Sequence, residues 1–421
     1  MTDPRATSQR EVERAARHSY GKLLAFLAAR TGDVAAAEDA LSEALASALT
    51  AWPRQGVPRS AEAWLLTAAR RKAIDAVRRR RTEQAAVEPL LLLAEAAQAA
   101  DDAAPDIPDD RLRLMFTCAH PAIEVAARAP LILQTLLGFD AGTIASAFLV
   151  APATMGQRLV RAKRKILEAA IPFRVPEPDE LAERLGPVLD AIYAAFAEGW
   201  TDPTGTTERR RGLAEEAIWL GRVVASLLPD EPEALGLLAL MLHAEARRAA
   251  RRDAAGGYVP LSAQDPRQWD AALIGEAEAL LLRASAAGRF GRFQLEAAVQ
   301  SAHAARRLTR RTDWAAIIAL YDALLAETGS PVVAINRAAA IGESRGAAAG
   351  LSALDGLADD RRLAEYQPYW AARAVLLART GQADAADHAF ERAIGLESTP
   401  AVRRFLQQQR ARCRPRSGTP D

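Results

Sequence analysis

Cysteine is almost missing. The 421 residues hold two, Cys118 and Cys413, far apart and without metal-ligand spacing. That excludes a disulfide framework and a cysteine-built zinc site, and it points to reduced thiols in a cytosolic protein. Aromatic residues make up 5% of the chain, too few for a strand-rich fold, and the abundance of alanine favours helices. No apolar run approaches the roughly 20 residues that span a bilayer. Nothing at Met1–Glu11 resembles a signal peptide, so a cytoplasmic chain without membrane attachment is expected. The histidines (His18, His120, His243, His303 and His388) form no HxxxH-like pair. There is no Walker loop, no GxGxxG and no nucleophile elbow. No catalytic residue, metal site or cofactor is therefore expected, and an enzyme is the least favoured class.

Excess charge of one sign is also lacking: 54 basic side chains stand against 53 acidic ones. The distribution is informative where the sum is not. Residues 70–81 hold seven bases and one acid, and residues 158–174 hold six bases and one acid, whereas residues 85–110 hold seven acids and no base. A near-neutral chain can thus carry two local cationic faces.

The chain is too long for one ordinary domain, and its pattern divides into four parts. In residues 9–84, Leu23, Leu24, Phe26 and Leu27 start a helical stripe that Gly32 ends. Asp33 caps the next helix, whose inward positions are Val34, Ala37, Leu41, Ala44, Leu45, Ala48 and Leu49. Trp52-Pro53 is expected to close it. After a loop with a glycine and two prolines, Ser60 caps a helix reaching Arg81, with Trp64, Leu65, Ala68, Ile74 and Val77 inward. Residues 85–110 read as an acidic linker with a short helical piece around Leu90–Ala99. In residues 111–174, an apolar helix (Pro130–Leu137) precedes two helices, Ala141–Phe148 and Pro152–Leu167, separated by three or four residues, which fits a helix-turn-helix. Residues 178–412 look wholly helical. There, Trp370, Leu377, Gly381, Ala386, Phe390, Ala393 and Ile394 sit at the offsets of a tetratricopeptide unit of about 34 residues, with a weaker copy at Ala338, Gly346 and Leu351. The fold expected is all-α.

Three constellations stand out. The bases of the Ser60–Arg81 helix make a cationic side that phosphates would reward through counterion release; a solvated helix end is the plain alternative, and Trp52 and Trp64 suit a core. A helix-turn-helix puts the start of its second helix in the major groove. Thr154, Gln157, Arg158 and Arg161 then lie near the base-facing side, where Arg and Gln read base edges bidentately, and Lys163, Arg164 and Lys165 hold phosphates. An ordinary helical hairpin with a basic exterior is the alternative. Glu38, Asp39 and Glu43 share a polar helix side without a histidine or nucleophile, which suits a protein-docking face or plain solvation better than acid–base chemistry.

The order of these segments carries a family resemblance. DVAAAEDALSEALASALTAW followed by SAEAWLLTAARRKAIDAVRRRR resembles region 2 of extracytoplasmic-function sigma factors, and GTIASAFLVAPATMGQRLVRAKRKI resembles their region 4. RLRLMFTCAHPAI, IPFRVP, GGYVPLSAQDPRQWDAALI, TDWAAIIALYDAL and PVVAINRAAAI resemble the subgroup with a long C-terminal extension of tetratricopeptide type. The resemblance implies that Asp33, Glu38, Asp39 and Glu43 dock on the beta-prime clamp helices of core RNA polymerase. It implies that Arg54, Arg59, Trp64, Arg70, Arg71, Lys72, Asp75 and Arg78 engage the promoter −10 element, with a base flipped from the non-template strand. Thr154, Gln157, Arg158, Arg161, Lys163, Arg164 and Lys165 would engage the −35 element, in a domain that also meets the beta flap. The extension would regulate the sigma domains by docking on them or by binding a protein or peptide. One departure stands out: Gly142 and Thr143 occupy the place where the family usually has an acid, which weakens the start of that helix. The competing readings are a helical scaffold, which would not bind core polymerase, and a one-component helix-turn-helix regulator, which would bind duplex DNA tightly alone.

Overall fold

A computed structural model describes residues 4–81, 110–148, 150–200 and 208–413; at 4–8, 16–18, 76–81, 146–147, 178–179, 182 and 208–212 it describes backbone alone. Among the described residues every regular element is helical, and an isolated bridge between Arg252 and Tyr258 is the nearest approach to a strand. The fold is all-α, as the composition required. It divides into two compact units, residues 1–195 and 196–421.

The first unit begins with α1 (Pro4–Thr31), α2 (Val34–Gln55) and α3 (Ala61–Arg81). Gly32 adopts a φ of 67° and breaks α1. The Asp33 carboxylate then accepts the Ala36 amide at 3.0 Å and starts α2. Val34, Ala37, Leu41, Ala44 and Ala48 are buried as the periodicity required, joined by Ala40. Leu49 instead points outward, 48% exposed: α2 packs on α1 and α3 through a narrower stripe than the sequence suggested. Pro53 does not close the helix. It sits in the last turn, where it leaves the Leu49 carbonyl without its i+4 amide, and α2 ends at Gly56, whose amide reaches the Trp52 carbonyl at 2.9 Å. Ser60 Oγ accepts the Ala63 amide at 3.2 Å and starts α3. Leu65, Leu66 and Ala69 carry its buried face.

The expected linker and its helical piece lie outside the described residues, except for buried Asp110, which accepts from Arg113 at 2.9 Å and from Arg30 at 3.5 Å. Four helices follow: α4 (Arg111–Cys118), α5 (Val125–Leu137), α6 (Ala141–Ala147) and α7 (Pro152–Glu168). They pack directly on the first three. Helix α1 lies against α4 and α5, and α7 lies against α2. The approach of α1 to α5 needs glycine. A Cβ built on Gly21 would stand 2.1 Å from the carbonyl oxygen of Leu136, a backbone atom that cannot swing aside.

Helix α8 (Pro178–Trp200) begins in the first unit. The division into compact units falls within this helix, at 195/196. Buried Arg184 reaches Glu180 at 3.3 Å, Glu180 also takes Arg174 at 2.9 Å, and Glu183 approaches buried Arg128 at 3.9 Å. These pairs hold the start of α8 among the preceding helices.

The second unit continues with α9 (Glu208–Leu227), α10 (Pro232–Glu245), α11 (Ala271–Ser285), α12 (Arg292–Ala304), α13 (Arg306–Thr309), α14 (Trp314–Thr328), α15 (Pro331–Arg345), α16 (Ala347–Asp355), α17 (Gln367–Arg379), α18 (Ala383–Leu396) and α19 (Pro400–Cys413). Helices pack chiefly on near neighbours in sequence: α10 on α11 and α12, α14 on α15, α17 on α18, α18 on α19. Leu377, Ala386, Phe390 and Ala393 share one core with Leu354 and Leu406, with Trp370 and Ile394 packed against it. Gly381, at a φ of 78°, makes the turn between α17 and α18. The Glu233 carboxylate of α10 accepts the amides of Phe293 and Gln294, each at 3.0 Å, and so caps α12 from outside.

His243, 1% exposed in α10, predicts a pH dependence. Burial and then the nearby Arg247 push its pKa down to about 4. The unfolded chain therefore binds the proton more readily than the folded one, so stability is present above the ordinary histidine range and is lost as pH falls from about 6.5 toward 4, by on the order of 3 kcal/mol at the low end. Thermal unfolding followed by tryptophan fluorescence should show the second unit weakening across that window. His303 of α12, also pushed down to about 4 by burial and then by Arg247, shares the trend, so His243→Met should remove about half of it; an unchanged slope in that variant rejects the assignment.

Candidate nucleic-acid interface

Helix α7 has two clearly different sides. Met155, Leu159, Ala162 and Ile166, spaced four, three and four apart, are buried, which is the period of one helix face. Thr154, Gln157, Arg161, Arg164 and Lys165 are exposed on the remaining circumference, and Arg158 is half-buried. Arg164 pairs with Glu168 one turn on, at 2.5 Å, but both are well exposed, so the pair contributes little. Helix α6 precedes α7 across residues 148–151, and the Val150 amide reaches back to the Ala145 carbonyl at 2.9 Å. The two helices pack on one another across this short connection.

The start of α6 is sounder than Gly142 and Thr143 suggested. Asp140 caps it, accepting the Thr143 amide at 2.9 Å and the Thr143 hydroxyl at 2.7 Å. Those bonds hold the Asp140 carboxyl below its usual range. The acid thus stands before the helix instead of inside it. An aspartate directly ahead of the helix was the signal available in the sequence. Asp140→Ala should cost about 1 kcal/mol and lower the melting temperature of the first unit by a few degrees; an unchanged melting temperature rejects the cap.

Lys163 does not join the exposed face of α7. It is 13% exposed and forms an ion pair with Glu38 of α2, itself 16% exposed. One residue expected to hold phosphate and one expected to hold polymerase are therefore bonded to each other. The pair sits among Tyr20 of α1 and Cys118 of α4, whose hydroxyl and thiol are both driven up by burial and also feel the Glu38 charge. Asp39 is exposed. Glu43 is half-exposed and lies 3.3 Å from Lys72 of α3, again joining an expected docking acid to an expected DNA base. Asp33 has a local task, as the α2 cap described above.

Around α3 the expected residues separate. Arg54, in the last turn of α2, and Arg59, within the loop 56–60, are exposed, and Arg71 and Asp75 are exposed on α3. Arg70 turns inward: its guanidinium lies 5.1 Å from the Phe26 ring centroid, and its Nε is buried without a partner. Burial, then repulsion from Arg30, lowers its pKa. A DNA role for Arg70 does not match that packing. Trp64 is half-buried and meets buried Trp52 edge-on, with centroids 5.5 Å apart, so it serves the core as well as the loop. Only the backbone of Arg78 is described.

This helical group matches a known family model, Sigma-70 region 2, over residues 15–83. The chain carries a sigma-70 region 2 domain. Sigma-70 factors are non-enzymatic transcription factors, and this domain ties the chain to transcription initiation, core RNA polymerase and promoter DNA. Residues 184–285 match a family of unknown function, DUF6596. An uncharacterized protein of Rhizobium meliloti (strain 1021) is 39% identical over 378 residues, covering 89% of each chain, and the two belong to one family. No solved structure matches the chain. Among the described residues, no helix is long and apolar enough to cross a membrane.

Proposed function

We propose that the protein is a sigma factor of the extracytoplasmic-function type that directs core RNA polymerase to promoters through separate −10 and −35 contacts. The observation that carries the −35 part is the outer side of α7, where Thr154, Gln157, Arg161, Arg164 and Lys165 lie together, free of the core. Arg161 and Gln157 suit base edges, and Arg164 and Lys165 suit phosphates. The −10 part falls to the loop 56–60 with Arg54, Arg59, Trp64, Arg71, Lys72 and Asp75. Polymerase docking falls to Asp39 and Glu43, exposed on α2, and to Glu38 once Lys163 releases it. The extension, reading as tetratricopeptide-like repeats, regulates these domains.

The test is run-off transcription with core polymerase, comparing the full chain with a version ending after Trp200, which keeps the whole of the first unit. Both should initiate at one defined start point, with different output. A full chain that never initiates, and that recovers no core polymerase in pull-downs, defeats the sigma reading. Equal output from both versions defeats the regulatory role alone. Tight duplex binding without polymerase would instead favour the one-component regulator, because a sigma factor gains its promoter affinity from polymerase holding both modules at once.

A further inference from the structure

The second unit gathers three arginines with no counter-charge. Arg247 follows the end of α10. Its Nε donates to the His243 carbonyl at 3.3 Å and its Nη2 to Gln300 Oε1 at 2.5 Å. Arg251 stands one turn further on. Its Nη1 donates to the Trp200 carbonyl at 2.7 Å, and its guanidinium lies 4.2 Å from the Trp200 ring centroid. Arg306 arrives from α13, donating to the carbonyls of Leu261 and Gln264 at 3.0 Å each and stacking 5.2 Å over Trp269. The Asp270 amide bonds the Ala246 carbonyl at 2.9 Å, which fixes the Trp269 segment beside Arg247. The Val259 amide bonds the Arg251 carbonyl at 2.9 Å, which brings Tyr258 to the same place.

Among the described residues, no carboxylate forms an ion pair with Arg247, Arg251 or Arg306. The acids nearby are engaged elsewhere. Glu245 holds Arg248 through two bonds of 2.6 and 2.7 Å, and Glu278 takes the Ser301 hydroxyl at 2.7 Å. His243, next to Arg247, is almost fully buried with neither ring nitrogen hydrogen-bonded; Glu278 lies 3.5 Å from its Nε2, but a histidine held neutral makes no ion pair there. Arg306 Nε is buried without an acceptor. Burial and repulsion from Arg251 and Arg306 bring Arg247 down to about 10. Charges drawn out of water without a partner are costly, and buried donors without acceptors point to a missing ion or ligand. Each of the three arginines keeps part of its surface exposed.

We propose that Arg247, Arg251 and Arg306 form a binding site for a phosphate group, free or carried on a small molecule. Guanidinium groups present paired donors that match phosphate oxygens. A phosphate monoester brings a charge of about −1.5 to −2, which answers three clustered cations better than a single carboxylate. Bound there, it ties the end of α10, the 249–270 segment and α13 together. This inference does not rest on the sigma reading.

The experiment is thermal unfolding of the full chain, with phosphate titrated at constant ionic strength made up with chloride, and glycerol phosphate titrated in parallel. A saturable rise in melting temperature is expected, about 5 °C in large excess over the dissociation constant. A stronger response to the ester assigns the site to a phosphorylated small molecule; an equal response assigns it to free phosphate. Arg247→Gln and Arg251→Gln should abolish the saturable part with unchanged circular dichroism, leaving only the linear effect of an excluded salt, and Arg222→Gln should keep it. Should Arg247→Gln not fold, Arg251→Gln decides alone. No saturable rise in the parent chain, or a rise retained in the Arg251→Gln chain, overturns the proposal.

Discussion

Replacing Gln157 and Arg161 together by alanine is expected to lower promoter binding and run-off transcription about thirtyfold or more, with core-polymerase binding unchanged. The size follows from the contacts. A good bidentate base contact is worth about 1–3 kcal/mol, so losing two removes at least about 2 kcal/mol, and each 1.4 kcal/mol is a factor of ten. The separation of effects follows from the fold. Both side chains lie on the outer side of α7, while Met155, Leu159, Ala162 and Ile166 hold the helix in place from the other side. Removing the outer pair therefore leaves the packing intact. Arg164→Ala should behave differently. A phosphate contact carries no sequence information, so its loss should weaken all promoters alike and reduce the salt slope by about one. Promoter affinity that stays within twofold in the double variant, measured with holoenzyme, removes α7 from the −35 role.

The face of α7 is legible in the sequence because a helix period and a proline at its first turn are local properties. The same holds for Asp33 and Ser60, whose capping bonds follow from their place just ahead of an apolar period. Leu49 and Pro53 were misread because the number of neighbours a helix has, and how deeply its last turn is held, are tertiary facts. Arg70 illustrates the limit for charge. A run of bases reads as one cationic side, yet Leu65, Leu66 and Ala69 set the buried face of α3 and carry Arg70 inward onto Phe26. The three arginines of the second unit were invisible because Arg247, Arg251 and Arg306 come from segments that only the packing of α10 and α12 unites. Lys163 reads with its basic neighbours for the same reason. Its distance from Glu38 along the chain hides a contact that exists only because α2 and α7 pack together.

That contact gives the second large effect. Glu38→Lys alone should destabilise the first unit by about 3 kcal/mol, the low end for a broken buried pair because this one keeps some solvent contact, since it leaves an unanswered charge, here facing another ammonium group. A unit of this size then melts roughly 10 °C lower. Reversing both charges, with Glu38→Lys and Lys163→Glu in one chain, should restore most of that loss, because the pair is re-formed with its sign exchanged. Core-polymerase binding should not return with it, since α2 would then offer a lysine where the docking face needs an acid. Stability and binding are thus separated in one set of variants, with thermal unfolding and pull-down as the two measurements. A swapped chain that recovers both would make Glu38 a purely structural residue and leave polymerase docking to Asp39 and Glu43. One that recovers stability alone means that Lys163 and polymerase compete for the same carboxylate, so α7 must leave α2 before the docking face is complete.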